Sequence, residues 1–499
     1  MQKIFKKTKL VATIGPSSQD RETMKSLFEA GMNVIRLNFS HGDHAEQLAK
    51  IQIARAIEKE EGQLIGIVLD TKGPEIRTGR FVDGKIAVQT GDRVILEMGT
   101  TDREGNDKLG GRQKDGSILI GITYEGLFDD AQVSDHIRMD DGKLDLVITE
   151  KDEKGRRLIC TSTNHNEIKD ERGVNCPDTK LTMPYVSEKD RDDLIFGCEQ
   201  RVNYCSASFV RSKQDILDIR KIFHEHGGDD IRIISKIENT EALSNLEEII
   251  RYSDGIMVAR GDMGVNIPAW DVPVVQMRLV EECRKQGKPV IVATQMLDSM
   301  IHSPFPTRAE VTDVSFAVLE SSDAVMLSGE SANGEYPVES VTMQSNICAR
   351  MEGTLDYEKL AREAFNNSGK EYSDAIANAV VNAAYLTEAK MIVCFSGSGE
   401  GAERLSHCRP VCPTVFVTDN RAAAYDSLLW WGVYPKLVKR LPTLTEELEV
   451  AALHIAKVYD VPDGSVIIIT GASPVGSSTT NFMKLVKVEY TRMESEIDI

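Results

Sequence analysis

The chain has nothing from which to build a disulfide framework or a zinc site. Its nine cysteines are scattered and odd in number, no CxxC pair occurs, and Cys408 and Cys412 sit beside prolines without partners. Free thiols in a reducing compartment are the expectation. There is no signal-peptide apolar region and no apolar run long enough to span a bilayer, so the expected address is the cytoplasm, without membrane contact. Positive charge is scarce. With 59 Lys and Arg against 78 Asp and Glu, the net charge of −19 repels nucleic acid. An anionic substrate therefore needs a local basic pocket. The basic start (Lys3, Lys6, Lys7, Lys9) is expected to be solvated rather than a nucleic-acid arm. No GxxxxGK[ST] loop is present, which argues against a P-loop kinase, and no Ser-His-Asp set or catalytic cysteine is well placed.

What is present is a recurring unit. Short apolar, β-rich runs end in polar or glycine residues and are followed by helix-like stretches, at 9–14, 33–37, 64–69, 204–209, 231–237, 255–259, 289–293 and 324–327. Continuous apolar strands alternating with amphipathic helices imply a covered parallel sheet. Eight of them imply a closed (β/α)8 TIM barrel, with function at the carboxyl ends of its strands. Between the third and fourth runs the alternation stops. Residues 72–174 are rich in Gly, Asp, Thr and Val, with hairpin-like signals at Asp83 and Gly84 and at Asp141 and Gly142. This reads as an all-β lid domain inserted in a barrel made of 1–71 and 175–347. Residues 348–499, with apolar runs at 391–395, 414–418, 434–438 and 466–470, read as an open α/β domain. The acidic end, 493–499, is expected to fray.

Polar residues follow the runs directly: Asn38, Ser40, Asp70, Glu238, Arg260, Asp262, Thr294, Ser328 and Glu330. In ISKIEN, Lys236 and Glu238 are two apart at a strand end, so both face the same side. They could be a buried pair that only fills the barrel. With Asp262 from VARGDMG, however, Glu238 could hold a divalent cation through oxygen, leaving positions for substrate and water as Mg²⁺ prefers. Gly261 and Gly264 would let backbone N–H groups approach an anion at a helix start, or could simply make a turn. Asn38, Ser40, Asp70 and Thr71 offer one carboxylate and neutral oxygens, which suits a monovalent cation. Arg36 and Arg77 could clamp a phosphate. Phosphoryl transfer asks for this mixture of positioning and charge compensation.

Together the motifs resemble those of the pyruvate kinase family over nearly the whole chain. The matching segments are TIGPSS (13–18), MNVIRLNFSHG (32–42), LDTKGPEIRTG (69–79), ISKIEN (234–239), GIMVARGDMGV (255–265), ATQMLDSM (293–300), PTRAEVTDV (306–314) and VMLSGESANGEYP (325–337). The short amino terminus and the wording of the barrel segments resemble the compact bacterial or protist form. The resemblance implies that phosphoenolpyruvate gives its phosphoryl group to ADP, yielding pyruvate and ATP. It implies that Arg36 contacts the migrating phosphate and that Lys236 neutralises it. Glu238 and Asp262 would hold Mg²⁺ (or Mn²⁺). Gly261, Asp262 and Thr294 would receive the substrate carboxylate, and Asn38, Ser40, Asp70 and Thr71 would bind K⁺. Asn38, His41, Arg77 and Lys189 would face the nucleotide. A water–hydroxyl relay near Thr294 would protonate the enolate.

K⁺-dependent members resemble this chain in carrying Glu in the GPE segment, here Glu75; members that dispense with K⁺ carry Lys there. The resemblance further implies a homotetramer and an effector, a sugar phosphate or nucleotide, near Ser396 and Ser398. The loop SGSGEG at 396–401 nevertheless places Glu400 where a cation is common and Gly401 where a serine closes the loop, so sugar-bisphosphate activation is expected to be altered or absent. A second loop at 471–480 keeps small hydroxyl residues. Two other readings remain: another barrel that handles phosphoenolpyruvate, such as an aldolase or mutase, and a catalytically silent metabolite sensor. The presence of Arg36, Lys236 and both metal carboxylates argues against the sensor.

Overall fold

The computed structural model describes residues 6–101, 106–442, 444–472 and 479–490. The eight runs become parallel strands: β1 (Lys9–Thr13), β2 (Val34–Asn38), β3 (Gly66–Asp70), β4 (Tyr204–Ala207), β5 (Arg232–Ile237), β6 (Gly255–Ala259), β7 (Val290–Ala293) and β8 (Ala324–Leu327). They close in the order β1-β8-β7-β6-β5-β4-β3-β2. Alternation along each strand sorts the side chains between two cores. Val34, Val68, Ile234, Met257 and Ile291 fill the lumen. Ile35, Ile67, Ile233, Ile256 and Val290, one residue away, pack outward under the helices.

The same period of two carries the inward direction up the strands. Val34 is followed on its side by Arg36 and Asn38, Val68 by Asp70, and Ile234 by Lys236 and Glu238. The lumen is therefore apolar in its middle, with the mouth charges at its carboxyl end and Lys9 and Arg232 at the other. The opposite end is plugged by the carboxyl-terminal region. Tyr425, Leu428 and Leu429 join the lumen cluster. The Tyr204 hydroxyl donates to the carbonyls of Tyr425 (2.6 Å) and Asp426 (3.0 Å), and Arg232 pairs with Asp426 at 2.5 Å.

Between β3 and β4 the chain builds an eight-stranded mixed sheet and a two-stranded ribbon, with a core of their own. Asp141 and Gly142 turn a true hairpin between His136–Met139 and Leu144–Asp152, at positive φ. Asp83 and Gly84 make a turn but no hairpin, because Lys85–Val88 pairs with the distant Asn166–Lys169. The carboxyl-terminal sheet contains β9 (Met391–Phe395), β10 (Thr414–Thr418), β11 (Val433–Leu437), β12 (Val466–Gly471) and β13 (Phe482–Lys487), in the order β11-β10-β9-β12-β13. Strand β13 was absent from the sequence reading. It is an antiparallel edge strand carrying Lys484 and Lys487, and one-sided lysine-bearing edges lack the apolar continuity of a central strand.

The amino-terminal lysines correct the expectation of a solvated start. Lys6 and Lys9 are buried. Lys6 donates to Asn33 Oδ1 (2.8 Å) and the Thr8 carbonyl, and burial lowers its pKa to about 8. Lys9 reaches the Val433 carbonyl across the tyrosine ring of Tyr434. These contacts staple the chain start to the carboxyl-terminal sheet. Lys3 and the acidic end lie outside the described residues. All nine cysteines are buried free thiols, and burial pushes Cys176 up to about 12. Among the described residues no helix is long and apolar enough to cross a membrane.

Candidate active site

The mouth is organised around Lys236. Its Nζ lies 2.9 Å from Glu238 Oε1, 2.9 Å from the Ser208 hydroxyl and 3.4 Å from Asp70 Oδ1. Burial opposes a charge on this lysine, but the carboxylates of Asp70 and Glu238 outweigh it and hold the ammonium charged well beyond its ordinary range. Asp70 is bound from the other side by Arg36 Nε at 2.7 Å, and Arg36 also donates to the Thr13 hydroxyl at 3.1 Å. Burial alone would raise the Asp70 pKa; Arg36 and Lys236 reverse this and hold it below the usual carboxylate range. Two cations thus share one buried carboxylate and have capacity left for an anion at the mouth.

Glu238 is the opposite case. It is fully buried, and burial pushes its pKa up to about 7 against the pull of Lys236, with Asp262 adding to the rise. Its Oε2 accepts the Phe209 N–H at 2.6 Å, and Oε1 meets the Lys236 ammonium at 2.9 Å. A buried carboxylate that meets one ammonium and lies near a second carboxylate, Asp262, fits a divalent cation. Among the described residues no group of three or more His, Cys, Asp or Glu could hold a metal. A cation here would have to complete its shell with substrate oxygens and water, as Mg²⁺ does. Asp262 stands in the first turn of Arg260–Asn266 and lines a cleft of about 110 Å³ between barrel and inserted sheet, together with Glu75, Phe209 and Asn266.

Thr294 ends β7 with φ +70° and is followed by Gln295 at +53°. Left-handed backbone at a β-branched residue costs about 1–3 kcal/mol and persists only where the surroundings impose it. Here Arg260 does so: its guanidinium grips both oxygens of Asp313 (2.6 and 2.7 Å) and donates to the Thr294 carbonyl at 2.7 Å. The Thr294 hydroxyl in turn accepts the Gly261 N–H at 2.8 Å. Arg260 is thus a strut, and so is Glu330, which accepts the N–H groups of Leu297 and Ser328. Gly264 faces Val272 only.

Asn38 and Asp70 are register partners on β2 and β3. Asn38 Oδ1 accepts the Ser40 N–H at 3.0 Å. The Thr71 carbonyl accepts the Ser208 hydroxyl at 2.6 Å, and its own hydroxyl accepts the Ser208 N–H at 3.1 Å. His41 is exposed in the turn after Ser40. Arg77 lies on the inserted sheet, locked to Glu75 at 2.8 and 2.9 Å. Lys189, on helix α1 (Glu188–Glu199), donates to the Phe39 carbonyl at 2.7 Å and to Asp193 at 2.6 Å. Ser396 and Ser398 are elsewhere, after β9, capping the N–H groups of Gly399 and Glu400. Most of the 471–480 loop lies outside the described residues. Ser208 went unnoticed in the sequence reading. Its signal was there, at the end of the fourth run, but the run was taken through Phe209 and hid the polar residue inside it.

A closed parallel barrel whose mouth gathers an arginine, a lysine and a metal-competent carboxylate pair defines a phosphotransferase of the barrel class. The family model described as pyruvate kinase, barrel domain, matches residues 5–341, and that for the pyruvate kinase alpha/beta domain matches 374–486. A pyruvate kinase of Lactobacillus delbrueckii subsp. bulgaricus is 46% identical over 485 residues, covering 96% of this chain and 80% of the relative. One from Clostridium acetobutylicum is 39% identical over 97% of this chain and 100% of its own length. A crystal structure of a pyruvate kinase from Cryptosporidium parvum superposes with a TM-score of 0.89 at 35% identity, over 97% of this chain and 96% of that one. The chain belongs to the pyruvate kinase family.

Metal binding should be linked to Glu238. A ligand carboxylate must lose its proton before the metal binds, and a pKa near 7 places that loss in the neutral range. Titration of the substrate-free protein with Mn²⁺ should show affinity rising about tenfold from pH 6 to pH 8, with proton release that disappears in Glu238→Gln. Affinity that is flat across this range would contradict the assignment.

Proposed function

We propose that the chain transfers the phosphoryl group of phosphoenolpyruvate to ADP at the carboxyl mouth of the barrel, with Lys236 as the group that compensates the migrating charge. The observation that carries this reading is the Lys236–Asp70–Arg36 relay, two fixed cations around one buried carboxylate. A β-phosphate oxygen of ADP forms the new P–O bond while the bond from phosphorus to the enol oxygen breaks, leaving its electron pair on the enolate. Lys236 and Arg36 face the negative oxygens of the moving group, where preorganised cations stabilise developing charge most. Glu238 and Asp262 would hold Mg²⁺ (or Mn²⁺), which would supply further charge neutralisation. The Gly261 and Asp262 backbone and Thr294 take the substrate carboxylate, and a water–hydroxyl relay near Thr294 returns a proton to the enolate carbon. Asn38, His41, Arg77 and Lys189 serve the nucleotide. The inserted sheet, which reaches the barrel through Arg138 and the Val265 carbonyl, closes over this mouth. The working form is a cytoplasmic homotetramer. In a coupled assay with phosphoenolpyruvate, ADP and Mg²⁺, Lys236→Met should lose about three orders of magnitude in kcat, equivalent to roughly 4 kcal/mol of barrier, with its melting temperature retained. Activity within tenfold of the unsubstituted protein would remove Lys236 from this role.

Asn38, Ser40, Asp70 and Thr71 are assigned to K⁺, with Glu75 as the residue that makes the ion necessary. Exchanging K⁺ for a bulky tetraalkylammonium ion should abolish most activity. Glu75→Lys breaks the pair with Arg77, introduces a fixed cation and should restore activity without K⁺. Full activity of the unsubstituted chain without any small monovalent cation would refute this.

The loop at Ser396 and Ser398 is poorly suited to a sugar bisphosphate. Glu400 occupies Arg404 at 2.6 Å, and Arg404 is already shared with Glu371 and Asp374. A side chain at position 401 would collide with the Thr480 hydroxyl. A small phosphate-bearing effector can still reach the serine hydroxyls and backbone donors. Adding fructose bisphosphate should leave the half-saturating phosphoenolpyruvate concentration nearly unchanged. A drop of about fivefold or more, the low end of ordinary allosteric coupling, would overturn this.

A further inference from the structure

We propose that Asp193 is a positioning residue for the nucleotide, acting through Lys189; this rests on the reading that Lys189 faces ADP. Asp193 lies on α1 one turn after Lys189, and its carboxylate is only 2% exposed. Its two oxygens are divided between two cations or donors. Oδ2 accepts Lys189 Nζ at 2.6 Å, and Oδ1 is 2.7 Å from His44 Nε2. His44 cannot easily swing away, because its ring stacks on Phe196 at 4.3 Å and 23°. Lys189 Nζ spends a second donor on the Phe39 carbonyl at 2.7 Å. An ammonium has three N–H donors, so one remains, on a side chain still 47% exposed.

Exposed lysine–carboxylate pairs one helical turn apart contribute little to stability, about 0.3–0.5 kcal/mol. A carboxylate buried to this degree and gripped from both sides is more than such a pair. It fixes the tip of a four-carbon chain that otherwise samples many rotamers. The Asp193 carboxylate ties α1 to His44, and Lys189 ties it to Phe39, in the segment that carries Asn38, Ser40 and His41. Lys189 and that segment are therefore held as one rigid unit, and ADP binds without the cost of ordering them.

The test is steady-state kinetics together with calorimetric ADP binding on the full chain. Asp193→Asn should raise the KM for ADP roughly five- to twentyfold, more than it lowers kcat, while the KM for phosphoenolpyruvate moves less than twofold. Lys189→Met should raise the ADP KM at least as much. In the Lys189→Met background, Asp193→Asn should add nothing further, which a merely structural role would not produce. If Lys189→Met raises the ADP KM and Asp193→Asn does not, or if the two effects add, the positioning role is wrong and the Lys189 assignment stands. If Lys189→Met leaves ADP untouched, the assignment itself fails and takes the inference with it. Should Asp193→Asn not fold, His44→Phe keeps the ring on Phe196 and removes the donor. It should raise the ADP KM about two- to fivefold, and no change would overturn the proposal.

Discussion

Lys236 must stay charged in a place that water hardly reaches, and the mouth of the barrel is arranged around that requirement. Burying an ammonium costs several kcal/mol unless opposite charge and hydrogen bonds replace its hydration. Asp70, Glu238 and Ser208 supply them from three different strand ends. Each of these partners needs support in turn: Asp70 from Arg36, Glu238 from the Phe209 N–H, and Ser208 from Thr71. The charges of the network are unevenly divided along the mouth. Arg36 and Lys236 over-compensate Asp70, while Glu238 and Asp262 repel one another. The first imbalance suits an anion and the second a cation, and a metal-bound phosphoryl group satisfies both.

The rest of the barrel makes this concentration of charge tolerable. Below the mouth the lumen is filled by valine, isoleucine and methionine, and its far end is plugged by Tyr425, Leu428 and Leu429. The plug belongs to the carboxyl-terminal region, and the Tyr204 and Arg232 contacts to it start on the strands that end in Ser208 and Lys236. Two strands thus run from an interdomain contact at one end to the reacting charges at the other.

Much of this could be read from residue order. The eight runs were visible because buried parallel strands are continuously apolar, and the mouth residues were visible because they break that continuity at a fixed place. Lys236 and Glu238 were correctly put on one face by the period of two. The errors share a cause, which is that polar residues with distant partners look like solvent-exposed ones. Lys6 and Lys9 read as a wet start because Asn33 and Val433 are far away in the chain. Ser208 escaped notice because its partners, Thr71 and Lys236, are on other strands. Strand β13 carries lysine at every third residue, Lys484 and Lys487, and so shows neither a continuous apolar run nor a period of two.

Sequence alone was enough for the eight barrel strands, the closed barrel, the inserted β segment and the charged residues that gather at the barrel mouth. These depend on local periodicity and on residue chemistry, which a linear chain displays directly. Only the tertiary structure decided which oxygen of Glu238 meets Lys236, which cations share Asp70, and that Arg77 and Lys189 are each held by a carboxylate. Those outcomes depend on distances between segments remote in the chain, and they arise only when the barrel closes and brings its strand ends to one rim.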